Sequence, residues 1–141
     1  MVRSLTIARK IARLTQTKKA ADVVIMNLKK LTSVTDYFVV CSAESDVQVK
    51  AIADAVEEGM KKEGVGPWHR EVGSTNWMLL DYVDVVLHVF HRHTRSFYSL
   101  ERLWGDAEIT QVEEAAKRAE RRPSGKRQIT QKTSSMKKKA S

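Results

Sequence analysis

The sequence predicts an α/β (α+β) domain built on a mixed β-sheet flanked by helices. Two short apolar runs rich in β-branched and aromatic residues, DVVIMNL (22–28) and DYFVVCSA (36–43), predict strands buried on both faces. A long amphipathic stretch follows them and precedes a second group of strands. The order of helix, two strands, helix, two or three strands and helix predicts this architecture, and 141 residues suffice for one domain.

The first residues, MVRSLTIARKIARLTQTKK, are amphipathic, basic and free of acids. They predict a helix over residues 3–15 with Ile7, Ile11 and Leu14 on one stripe. The same composition is typical of a mitochondrial presequence, which remains an alternative interpretation.

The second helix is predicted over residues 45–64. Ser45 is a good N-cap, Gln48 completes a capping box, and Gly64 is placed to end the helix. The apolar positions at helical spacing are Val49, Ile52, Val56 and Met60.

The second group of strands begins after GVGP. WHREV (68–72) is a candidate short strand, and NWMLLDY and DVVLHVFH are close enough to pair as an antiparallel hairpin. TRSFYSLERLW (94–104) predicts a helix, and DAEITQVEEAAKRAERR (106–122) extends the helical pattern to Pro123. The stripe of the first of these consists of Phe97, Leu100, Leu103 and Trp104. We therefore expect a domain over 1–116 and a basic, largely disordered tail over 117–141.

Charge is divided unevenly along the chain. Residues 1–19 carry six Lys/Arg and no acid, and residues 117–141 carry ten Lys/Arg against one acid. The stretch 20–116 holds nine Lys/Arg against sixteen Asp/Glu, a net charge of −7 within a total of +8. An acidic body favours a basic protein surface as its partner, while the basic ends leave contact with nucleic acid open.

Several classes of protein are disfavoured by composition. No apolar run approaches the ~20 residues of a spanning helix, so we expect no membrane association. The single Cys41 cannot form an intrachain disulfide and fits a reducing compartment.

Metal binding by HVFHRH (88–93) is disfavoured by strand geometry. His91 and His93 can share a face while His88 points the other way, and two histidines are too few for a closed zinc site. We expect His88 to be hydrogen-bonded within the sheet, the other two to be solvated near a strand end, and the protein to need no metal or cofactor.

A metal-dependent nucleotidyltransferase is the enzymatic alternative, because GSTNWMLLDYVD (73–84) faintly resembles those enzymes. Two carboxylates that share metal ions on a strand need a spacing of two residues, whereas Asp81 and Asp84 are three apart. We expect Asp84 to hydrogen-bond within a turn and Asp81 to be an exposed carboxylate, and we expect no catalytic residues.

A general RNA-binding protein that uses the basic tail for unspecific rRNA contact is the other alternative. Large amphipathic side chains instead favour a protein partner, and Trp77, Tyr82 and Tyr98 are of the kind enriched in binding hot spots. Trp77 and Asp81 share one strand face. Core and contact roles remain undivided for each aromatic residue.

The sequence resembles the ribosomal silencing factor family, also called Iojap-like, over roughly residues 19–107. The motifs are DYFVVCSAESDVQVKAIADAVEE, WMLLDYVDVVLHVF, RSFYSLERLW and the DA that follows, in that order. The resemblance implies a fold related to nucleotidyltransferases without their catalytic carboxylates. It also implies binding to the large ribosomal subunit through ribosomal protein fourteen of that subunit, which blocks subunit joining and lowers translation when nutrients are short.

The resemblance further implies a homodimer when the protein is free and a cytoplasmic location, with a mitochondrion or plastid as the alternative if residues 1–19 act as a targeting segment. The partner-binding residues that we predict are Trp77, Asp81, Tyr82, Asp84, His88, Arg95 and Tyr98. Val83 departs from the family, which usually has Gly before the hairpin aspartate, so the turn type stays open.

Overall fold

The computed structural model describes residues 3–74, 77–98, 102 and 104–113, apart from the side chains at 73, 74 and 96–98. The helices are α1 (Ser4–Gln16), α2 (Asp46–Lys62) and α3 (Arg92–Tyr98). The strands are β1 (Ala21–Asn27), β2 (Tyr37–Ala43), β3 (His69–Ser74), β4 (Trp77–Asp81), β5 (Val85–His91) and β6 (Glu108–Gln111).

The strands form one six-stranded sheet in the order β3-β4-β5-β2-β1-β6. β2 and β5 pair in parallel, and the other neighbouring strands pair antiparallel. This confirms the predicted mixed sheet, the β4–β5 hairpin and the short strand at WHREV. The parallel pair lies at the centre because α2 and the β3–β4 hairpin separate its two strands along the chain.

Helices α1 and α2 cover one side of the sheet, which we call the inner face, and the opposite side is the outer face. The inner-face core joins the buried sides of both helices to alternate residues of β2, β4 and β5. At Gly59 of α2, an added Cβ atom would lie 2.6 Å from the Leu14 side chain of α1. Glycine therefore permits the close approach of the two helices.

The predicted ends and stripes of α1 and α2 are confirmed. Ile11 of α1 is fully buried, as are the four apolar positions predicted for α2 within 2 % exposure. The Ser45 hydroxyl accepts a hydrogen bond from the Gln48 amide at 3.1 Å, and Gly64 takes a positive φ of 81° just beyond the helix. The Gln48 side chain reaches the amide of Glu44 rather than that of Ser45, so the capping box is displaced by one residue.

The predicted helical continuation over 106–122 is wrong where the structure describes it. Residues 108–111 form β6, which pairs antiparallel with β1 at the sheet edge. The Val112 amide also donates to the Val23 carbonyl at 2.8 Å. The open edge of β1 offers hydrogen-bond partners to EITQ, and this pairing overrides the local helical pattern. The remainder of that predicted helix, and the tail, lie outside the described residues.

A second, smaller cluster occupies the outer face. Its buried members are Val24, Met26, Leu28, Val40 and Phe90, and its partly buried members are Phe38, Trp77, Trp104 and Ala107. Trp104 packs against this cluster from a turn rather than from the predicted helix, while Phe97, Leu100 and Leu103 lie outside the described side chains.

Candidate functional site

Alternation along β4 separates partly exposed residues from core residues. Met78 and Leu80 point to the inner face and are buried, whereas Trp77, Leu79 and Asp81 point to the outer face and are partly exposed. Trp77 and Asp81 therefore do share a strand face. Neither α1 nor α2 covers this face.

Trp77 belongs to a stack of rings on the outer face. Its ring stacks on Phe90 at a centroid distance of 5.9 Å and an interplanar angle of 8°, and on His88 at 6.2 Å and 3°. The side chain packs against the outer-face cluster, and part of it remains accessible to solvent. Trp77 is therefore neither fully buried nor fully exposed, and its contact role stays a prediction.

His88 lies inside the same stack and is 7 % exposed. Phe38 approaches its ring edge-on, with centroids 4.6 Å apart. The expectation that His88 is hydrogen-bonded within the sheet is wrong, because neither ring nitrogen has a hydrogen-bond partner among the described residues. Burial lowers the pKa of His88 from 6.5 to about 4, so the imidazole is neutral near pH 7.

The β4–β5 turn reverses the expected roles of its two carboxylates. Asp81 Oδ1 accepts a hydrogen bond from the Val83 amide at 2.7 Å, so Asp81 rather than Asp84 makes the turn contact. Val83 has a φ of 74°, in the left-handed region that suits glycine, and its side chain is 54 % exposed. A β-branched residue therefore occupies a backbone conformation that favours glycine.

The Asp84 side chain is exposed, and the backbone of the same residue fixes the turn to the rest of the sheet. The Asp84 carbonyl accepts hydrogen bonds from the amides of Asp36 at 2.9 Å and Tyr37 at 3.1 Å. The tip of the hairpin is therefore joined to the start of β2. A carboxylate on such a fixed loop is presented at a defined position.

Tyr82 is separated from the other predicted site residues. It is 8 % exposed and belongs to the inner-face core, where its hydroxyl lacks a hydrogen-bond partner among the described residues. Burial, followed by the nearby negative charge of Glu57, raises the pKa of Tyr82 to about 12, with Arg70 opposing that rise. The structure thus places this tyrosine in the core under α2 and outside the surface site.

Arg95 acts as a tether in the fold. Its guanidinium donates to the Asp22 carbonyl at 2.6 Å and to the Ser42 hydroxyl at 2.9 Å, joining α3 to β1 and β2. Asp22 has a positive φ of 49°, so this bond supports an unfavourable backbone conformation. The Tyr98 side chain lies outside the described residues.

The described part of the chain brings together no group of three or more His, Cys, Asp or Glu side chains that could hold a metal ion. The His91 and His93 rings stack at 5.1 Å near the strand end, as expected. Burial raises the pKa of the Cys41 thiol to about 12, which keeps it protonated and a poor nucleophile. None of the described helices is long and apolar enough to span a membrane.

Trp68 is an exposed aromatic residue that the sequence patterns did not identify as a site candidate. It is 75 % exposed, and its amide donates to the Asp81 carbonyl at 2.8 Å, which places it beside the hairpin. The available signal was its position directly after Gly66 and Pro67, because a tryptophan in a turn has few ways to be buried.

We call Trp77, Leu79, Asp81 and Asp84 the hairpin surface. It combines a large amphipathic ring, an apolar side chain and two carboxylates on a rigid strand pair. Such a surface can bind a protein that offers an apolar patch beside Lys or Arg.

The comparisons with known proteins identify the family of this chain. The family model described as "Ribosomal silencing factor during starvation" matches residues 2–139. The chain belongs to the ribosomal silencing factor family. The match extends beyond the stretch 19–107 over which the resemblance was recognised, and it includes the first helix and most of the tail.

Relatives of this silencing factor family member are bacterial and chloroplastic. The "Ribosomal silencing factor RsfS" of Halalkalibacterium halodurans is 39 % identical over 97 residues, which cover 68 % of this chain and 83 % of the relative. "Protein Iojap, chloroplastic" of Arabidopsis thaliana is 33 % identical over 104 residues, or 74 % of this chain and 44 % of the relative. A crystal structure of a Chromobacterium violaceum protein has a TM-score of 0.71 at 31 % identity, covering 81 % of this chain and 97 % of that one.

Proposed function

We propose that this protein binds the large ribosomal subunit and sterically blocks joining of the small subunit, lowering translation under nutrient limitation. The family supports a role in ribosomal silencing. The observation that supports a binding mechanism is the hairpin surface, which holds a partly exposed tryptophan beside two carboxylates.

The partner that fits this surface is a basic ribosomal protein, and we propose protein fourteen of the large subunit. Trp77 offers a flat ring whose position is already fixed by stacking on Phe90, so little side-chain entropy is lost on binding. Asp81 and Asp84 supply negative charge to meet Lys or Arg. Steric occlusion needs only a stable complex at the right place.

Cosedimentation with isolated subunits tests the proposal. We expect the protein to pellet with large subunits and not with small subunits, and to inhibit their association when it is added first. Failure to bind large subunits, or equal binding to both subunits, would contradict it.

The nucleotidyltransferase alternative is not supported by the turn geometry. Asp81 is engaged with the Val83 amide, and the described residues contain no set of metal ligands. We propose a non-enzymatic role, for which the names of the relatives as silencing factors are the support. The homodimer of the free protein stays a prediction.

The compartment follows that of the ribosome it binds. Bacterial relatives support the cytoplasm, and the chloroplastic relatives support the plastid alternative. α1 is packed into the inner-face core, with Ile11 fully buried, which supports its interpretation as a helix of the fold.

A further inference from the structure

Helix α1 presents two arginines that have no carboxylate partner among the described residues. Arg9 and Arg13 are exposed and stand one helical turn apart. Among the salt bridges of the described residues, that of Lys10 with Glu63 is the one that involves α1.

Three other guanidinium groups of the described chain are engaged internally. Arg70 is bound by two carboxylates of α2, Arg92 by Glu44, and Arg95 by the oxygens of β1 and β2 already described. The contrast suggests that the cations of α1 serve something other than the fold.

The protein surface is concave on both sides of α1. A groove of about 520 Å³ lies toward the end of α2, and another of about 220 Å³ lies toward β1 and β6. Arg9 and Arg13 line both grooves and so form the ridge between them. Glu63, already paired with Lys10, lines the first, and Glu113 lines the second.

The chemistry of this ridge selects among anionic partners. A membrane is disfavoured because the apolar stripe of α1 is buried in the inner-face core and cannot enter a bilayer. An acidic protein is disfavoured because no large exposed hydrophobic side chain of the described residues lies on α1 to anchor an interface. Cationic side chains can bind a phosphate backbone without an apolar anchor. A guanidinium group can also donate two parallel hydrogen bonds to phosphate oxygens.

We propose that the exposed face of α1 is an RNA-binding surface that contacts the phosphate backbone through Arg9 and Arg13, with Lys10 at its margin. This surface lies on the side of the sheet opposite the hairpin surface. The protein therefore has a protein-binding face and an RNA-binding face, and the second does not depend on the proposed function.

The test uses the full chain and a short fluorescent RNA duplex, with binding measured by anisotropy over a salt series. In the variant Arg9→Gln/Arg13→Gln, the slope of log K against log salt should fall in magnitude by about 1.4–1.8, the loss of two phosphate contacts. The matched control Lys61→Gln/Lys62→Gln removes the same charge from the exposed end of α2 and should leave the slope close to that of the wild type. Thermal melts should be alike for all three proteins.

Three results would overturn the inference. They are an unchanged slope in the α1 variant, an equal loss in the control variant, and competition by polyglutamate as effective as that by RNA at equal charge. Large-subunit cosedimentation is measured separately with Trp77→Ala, so failure of the proposed function and failure of this inference give different patterns.

Discussion

The two faces of the sheet are built from different kinds of side chain. The inner face is closed by α1 and α2 over a core composed mainly of aliphatic residues. The outer face carries a stack of Trp77, His88 and Phe90, part of which reaches the surface, and an imidazole buried without a hydrogen bond among the described residues. The inner face also holds a buried polar group without a hydrogen-bond partner among the described residues, the Tyr82 hydroxyl, so what distinguishes the outer face is its partly exposed aromatic stack. The comparison indicates that the larger core lies on the inner face, and we propose that partner binding uses the outer face.

Adjacent leucines of β4 give the largest expected contrast in stability. Leu80→Ala, on the inner face, should lower the free energy of unfolding by about 2–5 kcal/mol, because it leaves a cavity under α2. Leu79→Ala, on the partly exposed outer face, should cost no more than about 1 kcal/mol. Urea unfolding of both variants measures the difference. Equal losses of unfolding free energy in the two variants would contradict the distinction between the faces.

The pH dependence of stability tests the outer-face stack. Because burial lowers the pKa of His88 to about 4, the unfolded chain binds a proton that the folded protein excludes between the ordinary pKa of 6.5 and 4. Stability should be full above pH 6.5 and fall by on the order of 3 kcal/mol as the pH drops to 4.

His88→Phe supplies the control for that titration. It should keep the ring stack and flatten the pH dependence of the unfolding free energy between pH 6.5 and 4. A variant with the same slope as the wild type would show that His88 does not titrate with folding.

Neutralising the hairpin carboxylates should affect association more than folding. Asp81→Asn retains an oxygen for the Val83 amide, so Asp81→Asn/Asp84→Asn should fold normally. Its association rate with large subunits should fall several-fold at low salt and depend less on salt, because electrostatic steering is lost. Stopped-flow kinetics can compare it with Asp46→Asn/Glu58→Gln, which removes two charges from α2. Equal effects in both variants would remove these aspartates from the contact surface.

Relief of backbone strain gives the smallest expected effect. Val83→Gly should stabilise the protein by about 1 kcal/mol, because glycine adopts the φ of 74° without the penalty of a β-branched side chain. The control Val47→Gly, in the first turn of α2, should instead destabilise by roughly 0.5 kcal/mol or less. Thermal melts that show Val83→Gly less stable than the wild type would contradict the strained turn.

The elements that sequence patterns predicted well are those with strong local signals. β1, β2 and α2 follow from continuous apolar runs and a capped helical stripe, and the β4–β5 hairpin follows from two strands set close together. β6 was missed because its pairing with β1 is a contact between distant parts of the chain. Local periodicity carries no information about such an edge.

The candidate site was predicted only in part, because local alternation does not show which residues other elements cover. Alternation along β4 placed Trp77 and Asp81 on one face, but the sequence could not show that Tyr82 turns toward α2 while Trp68 stays exposed. Arg95 was expected near the partner and instead binds oxygens of its own chain. Those outcomes depend on which surface each neighbouring element covers.

The most direct test of the two-face account is the affinity of folded Trp77→Ala for the large subunit. The change removes the ring that both stacks on Phe90 and reaches the surface, so the melting temperature should fall moderately. After correction for the folded fraction, the Kd should rise roughly 30- to 1,000-fold, corresponding to about 2–4 kcal/mol of binding. Leu80→Ala, corrected in the same way, should bind with the Kd of the wild type. A folded Trp77→Ala protein that also binds with the Kd of the wild type would contradict the account.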